Sequence, residues 1–209
     1  MSTTEADKSN RGEPPTRRKQ TKGRMEEVYA KAAMLFKENG YLNTSVKEIA
    51  GELRIHKASL YYYIKDKETL LFEILNRTMD RMLEQVKQIP SSSLPPEKKL
   101  DHVIHAHIEN AVRYLNEFSV LLHDTKRLQP ELRQIILSKR KQYEDVFLAI
   151  ISEAMDDGIA NTEDKKMLVY MILGSCNWLY QWFSPEGERT PEQIAGIFSR
   201  VFLNGLLAR

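Results

Sequence analysis

Along almost the whole chain, apolar residues recur at spacings of three and four. Nowhere do they alternate with polar ones over a run of strand length, so the pattern predicts an all-α fold. Val28, Ala32, Leu35 and Phe36 mark a helix from about 22 to 39, ended by Asn39-Gly40. Val46, Ile49, Ala50 and Leu53 mark a short second helix. Thr44 or Ser45 can cap it, and Glu48 stands three residues after Ser45, as a capping box requires. Ile55, Ala58 and Leu60, with an aromatic from Tyr61 to Tyr63, let a third short helix pack across the second. Asp66 can cap a longer helix running to about 89, where Pro90 and the loop SSSLPP stop it. Helices over about 96–122 and 131–155 follow, separated by a break near Gln129-Pro130, and Asp157-Gly158 ends the second.

Residues 167–183 form a run of 17 without a charge, the lower limit for a membrane span. Gly174, Ser175, Asn177 and Gln181 interrupt the run, so burial on two sides accounts for it better, one side facing the chain's own core and the other a second subunit. Beyond a turn at Pro185 to Gly187, Ile194, Ile197, Phe198, Val201, Phe202 and Leu206 make an apolar seam on a final helix. The expected assembly is a homodimer through residues 163–183 and 191–207, with no membrane involvement.

Charge divides the chain in a way that its net value of +2 conceals. Residues 1–67 hold 14 Lys and Arg against 9 Asp and Glu, a surplus of five; residues 68–209 hold 17 against 20, a deficit of three. A basic N-terminal third suits a polyanion, and the acidic remainder would be held away from it. Residues 1–20 lack large apolar side chains and read as a disordered basic arm, with Arg17, Arg18, Lys19, Lys22 and Arg24 clustered around its end. The expected division is 1–20 arm, 21–66 helix-turn-helix head, 67–209 ligand-binding and dimerisation domain. The single cysteine, Cys176, excludes an internal disulfide, and the N-terminus lacks the apolar stretch of a signal peptide, so a cytoplasmic protein is expected.

Two short helices joined by a tight turn present the second to a DNA groove, with His56, Lys57, Ser59 and part of the Tyr run on its open side. The segment resembles the DNA-binding region of the TetR family of repressors. It has the Ile49-Ala50 pair, then Leu60-Tyr61-Tyr62-Tyr63, then Lys65 and Lys67-Glu68-Thr69-Leu70. Arg54 stands where the family has a turn glycine, and His56 where it has a capping serine. The resemblance implies a double-stranded operator as partner and a DNA-binding set of Thr44, Ser45, His56, Lys57, Ser59, Tyr61, Tyr62, Lys65 and Lys67. Within it, Tyr61, Tyr62 and Lys67 are expected on phosphates, and Lys57, Ser59 and His56 at bases.

The segment from Asn177 to Gly187, NWLYQWFSPEG, followed by Ile194-Ala195, is similar to the C-terminal motif of one TetR branch. That similarity implies an acyl-CoA effector and control of fatty-acid, steroid or related degradation. A pocket is then expected among the middle helices, contacted by His105, Tyr114, Phe118, His123, Arg127 and Trp178, with Arg127 or Arg113 for a phosphate or carboxylate. His102, His105 and His107 fall on different faces of one helix, so neither a metal nor any other cofactor is expected. A regulator of drug efflux would share the head but want pocket carboxylates, for which Glu109 and Glu117 are the candidates. No nucleophile motif or Gly-rich phosphate loop points to an enzyme.

Overall fold

The computed structural model describes residues 15–160 and 164–206, with side chains described for 23–160 and 164–205; among them are ten α-helices, one short 3-10 turn and no strand. The first helix, α1 (Pro15–Asn39), begins earlier than the apolar spacing predicts, with a proline at its first position, where the missing N–H costs nothing. Residues 15–20 of the expected arm are thus part of α1, and its residues 1–14 lie outside the described residues. Gly40, at φ 83, turns the chain out of α1.

Both halves of the predicted capping box are made at the start of α2 (Val46–Glu52). The Ser45 hydroxyl accepts the Glu48 N–H at 3.2 Å, and the Glu48 carboxylate accepts the Ser45 N–H at 2.6 Å. The Ser45 N–H foremost, with the Ser45 side chain, holds the Glu48 carboxyl below its usual pKa. The next element, α3, spans only Lys57–Leu60. Leu60 and Ile64 are buried beneath it, whereas Ala58, expected on the packed side, is exposed. Asp66 caps α4 (Lys67–Val86) by accepting the Thr69 N–H at 2.7 Å, which lowers its own pKa.

The helix expected over 96–122 is two helices, α5 (Pro96–Arg113) and α6 (Leu115–Asp124), which meet at Tyr114 with φ −122 and ψ 45. Neither proline nor glycine stands at the break. There the Tyr114 ring is packed under the Arg81 guanidinium of α4, 4.1 Å from its centroid. A 3-10 turn at Thr125–Arg127 leads into α7 (Pro130–Asp156). Helices α4, α5, α6 and α7 pack around a core that includes Leu71, Ile74, Met79, Ile104, Ile108, Phe118 and Phe147. Lys99 on α5 is buried, and its ammonium holds the Glu153 carboxylate of α7 at 2.7 and 2.8 Å and the Pro90 carbonyl at 2.9 Å.

The uncharged run lies in α8 (Lys165–Asn177), beyond its first two lysines, and the short α9 (Leu179–Trp182), with Trp178 between them. Val169, Ile172, Leu173, Cys176 and Leu179 face inward, while Met167, Tyr170, Met171, Trp178 and Trp182 are exposed. Among the described residues no helix is long and apolar enough to cross a membrane. The last helix, α10 (Pro191–Leu206), lies along α5. The expected seam divides there. Ile194 and Ala195 are buried, and the Ser199 hydroxyl donates to the Asp101 carboxylate of α5, so that side belongs to the subunit's own core. Val201 remains exposed.

Candidate DNA-binding surface and effector cavity

In the head, the turn between α2 and α3 is closed by two backbone bonds: Arg54 N–H to the Gly51 carbonyl and Ile55 N–H to the Ala50 carbonyl, both at 3.0 Å. This paired arrangement requires a left-handed residue between them. Arg54 supplies it at φ 53. Nearby, Arg24 of α1 donates to the Leu53 carbonyl at 3.1 Å and pairs with Glu27, so it braces the end of α2 instead of belonging to an arm. Lys31 and Glu52 join α1 to α2 at 2.9 Å.

Seven of the nine expected DNA residues are at the head surface: Ser45, His56, Lys57, Ser59, Tyr61, Tyr62 and Lys65 are all exposed, Tyr62 at 76%. Lys57 lies 5.8 Å from the Tyr61 ring centroid. The other two are turned inward. Thr44 is 1% exposed, and its hydroxyl donates to the Leu35 and Gly40 carbonyls at 3.2 and 3.0 Å, closing the loop after α1. The Lys67 ammonium donates to the carbonyls of Tyr41 and Thr44, both at 2.9 Å, and lies 4.4 Å from the Tyr41 ring centroid. At the first position of α4, a lysine tip reaches neighbouring loop carbonyls as readily as a phosphate, and here the carbonyls hold it.

A cavity of about 270 Å³ opens among α4, α5, α6, α7 and α8. Met79, Met82, Phe118, Leu121, Leu122 and Leu173 give it apolar walls, and His107, Arg140, Tyr143, Glu144, Tyr170 and Asn177 bring polar atoms to it. Phe118 is the one expected ligand residue that lines it. His105 sits by Asp101 and lines a separate recess against α10. Tyr114 packs under Arg81, and His123 packs edge-on to Tyr180, centroids 5.0 Å apart. Arg127 and Arg113 face Asp124 and Glu109 at 4.0 and 3.3 Å, and Trp178 is 59% exposed. The cation at the cavity is Arg140, which makes no ion pair among the described residues.

Histidine spacing alone groups His107 with His102 and His105; its place as a polar residue on an apolar stripe is what sets it apart. It is 2% exposed among Val103, Ile104, Ile108 and Ala111, all buried on the same helix. Its Nδ1 lies 3.2 Å from the Tyr143 hydroxyl, and its ring meets Phe118 edge-on at 5.6 Å. Burial drives its pKa down to about 4, with the Asn177 side chain slightly opposing, so the ring is neutral at pH 7.

On its far side α6 packs against α1 and α4, so the helix that supplies Phe118, Leu121 and Leu122 to the cavity also touches the head. Glu117 of α6 is partly buried there, and desolvation raises its pKa against the opposing charge of Arg81. Arg77 of α4 pairs with Glu26 of α1. The first turn of α4 is tied to the start of α7 where Glu68 accepts the Gln129 N–H at 2.6 Å.

Residues 28–74 match the family described as bacterial regulatory proteins, tetR family, and residues 93–206 match the tetracyclin repressor-like C-terminal domain. The chain belongs to the TetR family. It is thus a DNA-binding transcriptional repressor by type and not an enzyme. This TetR-family chain is 26% identical over 190 residues to the HTH-type transcriptional repressor KstR2 of Mycolicibacterium smegmatis, covering 90% of its own length and 92% of that protein. Its fold matches that of the ketosteroid transcriptional regulator KstR2 of Mycobacterium tuberculosis with a TM-score of 0.84, at 23% identity, over 89% of this chain and 96% of that one. AibR, solved in complex with isovaleryl coenzyme A and operator DNA, is 34% identical, with a TM-score of 0.77 over 86% of this chain and 98% of AibR.

Proposed function

We propose that the chain is a cytoplasmic, homodimeric repressor of lipid or acyl-CoA catabolism genes, released from its operator by an acyl-CoA thioester. The observation that carries this reading is the cavity itself: apolar walls, a cation in Arg140, and one wall made by the helix that packs on α1. A volume of about 270 Å³ suits an acyl group or a small ring system. The nucleotide of a coenzyme A thioester would stay at the mouth, where Arg140 can meet its charge. The AibR complex, which holds both an acyl-CoA and DNA, supports the choice of effector class.

Release follows from differential affinity. A ligand that fits the cavity better when α6 has shifted against α1 and α4 favours the state in which the two heads no longer match successive major grooves, about 34–36 Å apart. A coupling of about 1–3 kcal/mol corresponds to a loss of operator affinity of roughly 5- to 150-fold. Operator titrations with and without isovaleryl-CoA and octanoyl-CoA test this. Unchanged affinity with both removes the acyl-CoA assignment and leaves the repressor standing.

A regulator of drug efflux would need a carboxylate in the cavity to meet a lipophilic cation. Glu109 and Glu117 do not line it. Glu144 does, but Arg140 lines the same cavity, so the site offers a cation no net negative charge and favours the acyl-CoA reading.

A further inference from the structure

Inside the cavity His107 has one ring nitrogen engaged and one free. Nδ1 faces the Tyr143 hydroxyl, whereas Nε2 is buried and makes no hydrogen bond of its own, the Asn177 side chain of the same cavity wall being the polar group close enough to bear on the ring's charge. Tyr143 is itself buried, and His107 is the one partner its hydroxyl has among the described residues. A buried hydroxyl proton must be used, so the tyrosine donates and Nδ1 accepts. The proton of a neutral imidazole then resides on Nε2. Native cores seldom leave such a donor unpaired, and one in the wall of an open cavity is a group awaiting a ligand atom.

Resting on the reading of this cavity as the effector site, we propose that His107 is its specificity-determining residue: the Nε2–H donates to a carbonyl oxygen carried on the apolar body of the effector. Chemistry narrows the acceptor. A carboxylate would have to be desolvated against a neutral ring, whereas a ketone or thioester carbonyl brings an acceptor without a charge. A plain hydrocarbon of the same shape would leave the donor stranded. The Tyr143 hydroxyl fixes the tautomer and Phe118 fixes the ring plane, so the donor's direction is set before ligand arrives.

Acetophenone and ethylbenzene differ at the carbonyl and little in shape, and both are small enough for the cavity. Imidazole nitrogen NMR of the full-length protein at pH 7 should show His107 neutral with its proton on Nε2, and the Nε2–H proton should shift with acetophenone and not with ethylbenzene. The preference for acetophenone over ethylbenzene should fall about tenfold in His107→Phe and be partly kept in His107→Gln, whose amide still donates. An Nδ1-protonated or charged ring, no binding of acetophenone, or an unchanged preference in His107→Phe would each overturn the assignment. Failure of acyl-CoA to release the operator leaves these readouts standing. Release by acyl-CoA together with an unchanged probe preference would sink the His107 role alone.

Discussion

Arg54 holds a backbone conformation that its own Cβ penalises. At φ 53 it occupies the left-handed region, which costs an ordinary side chain about 1–2 kcal/mol, and it does so because the two bonds that close the turn need it there. The need for a left-handed residue was legible from the motif, as was the misfit of arginine. Replacing Arg54 with glycine relieves that cost and adds back some unfolded-state entropy, so Arg54→Gly is expected to raise stability by about 0.5–1 kcal/mol. Thermal or urea unfolding of the two proteins measures it. A stability loss would mean that the arginine side chain holds the turn by contacts of its own. His107 was less legible for a different physical reason: a lone histidine on an apolar face has the same sequence pattern whether both its nitrogens are satisfied or one is left open, and only the neighbours brought in by α6 and α7 decide that.

At the scale of elements, caps and turns were written locally and the long middle helix was not. The Ser45 to Glu48 box, the Asp66 cap and the Gly40 and Gly158 ends each depend on residues within a few positions. The break between α5 and α6 has no local breaker; the contact found there is between Tyr114 and Arg81, more than thirty positions away. That break aims Phe118, Leu121 and Leu122 into the cavity, so the pocket could not be lined correctly from a continuous 96–122 helix. The start of α4 shows the same contrast in function. The motif placed Lys67 on DNA, but its ammonium ties α4 to the loop between α1 and α2. Lys67→Met should therefore cost about 1–3 kcal/mol of stability while leaving the salt dependence of operator binding nearly unchanged. Lys65→Ala, at an exposed lysine, should do the reverse: little change in stability, and a salt slope lowered by about 1. Operator titrations over a range of salt concentrations, run beside unfolding curves, separate the two.

For the whole molecule, the charge split and the uncovered apolar side chains point to the same geometry: basic heads at one end, and at the other a surface that is too apolar for water. Met171, Trp178 and Trp182 on α8 and α9 and Val201 on α10 are 57%, 59%, 48% and 64% exposed in the single subunit. Large apolar side chains left bare in this number fit the homodimer interface that we propose over residues 163–183 and 191–207. Two heads on one rigid dimer bind an operator as a linked pair, so the second contact is made at high effective concentration and affinity exceeds that of one head by about 10²- to 10⁴-fold. Charged substitutions at that surface should reach DNA only through this linkage. Met171→Asp combined with Val201→Asp is expected to give a monomer by sedimentation velocity, with unchanged helical content and a head that still binds DNA non-specifically. Operator affinity should fall by about 10²-fold or more. A monomer that keeps full operator affinity would show that one head suffices. A dimer that survives both substitutions would place the interface elsewhere, and the apolar faces of α8 to α10 would then need another partner to cover them.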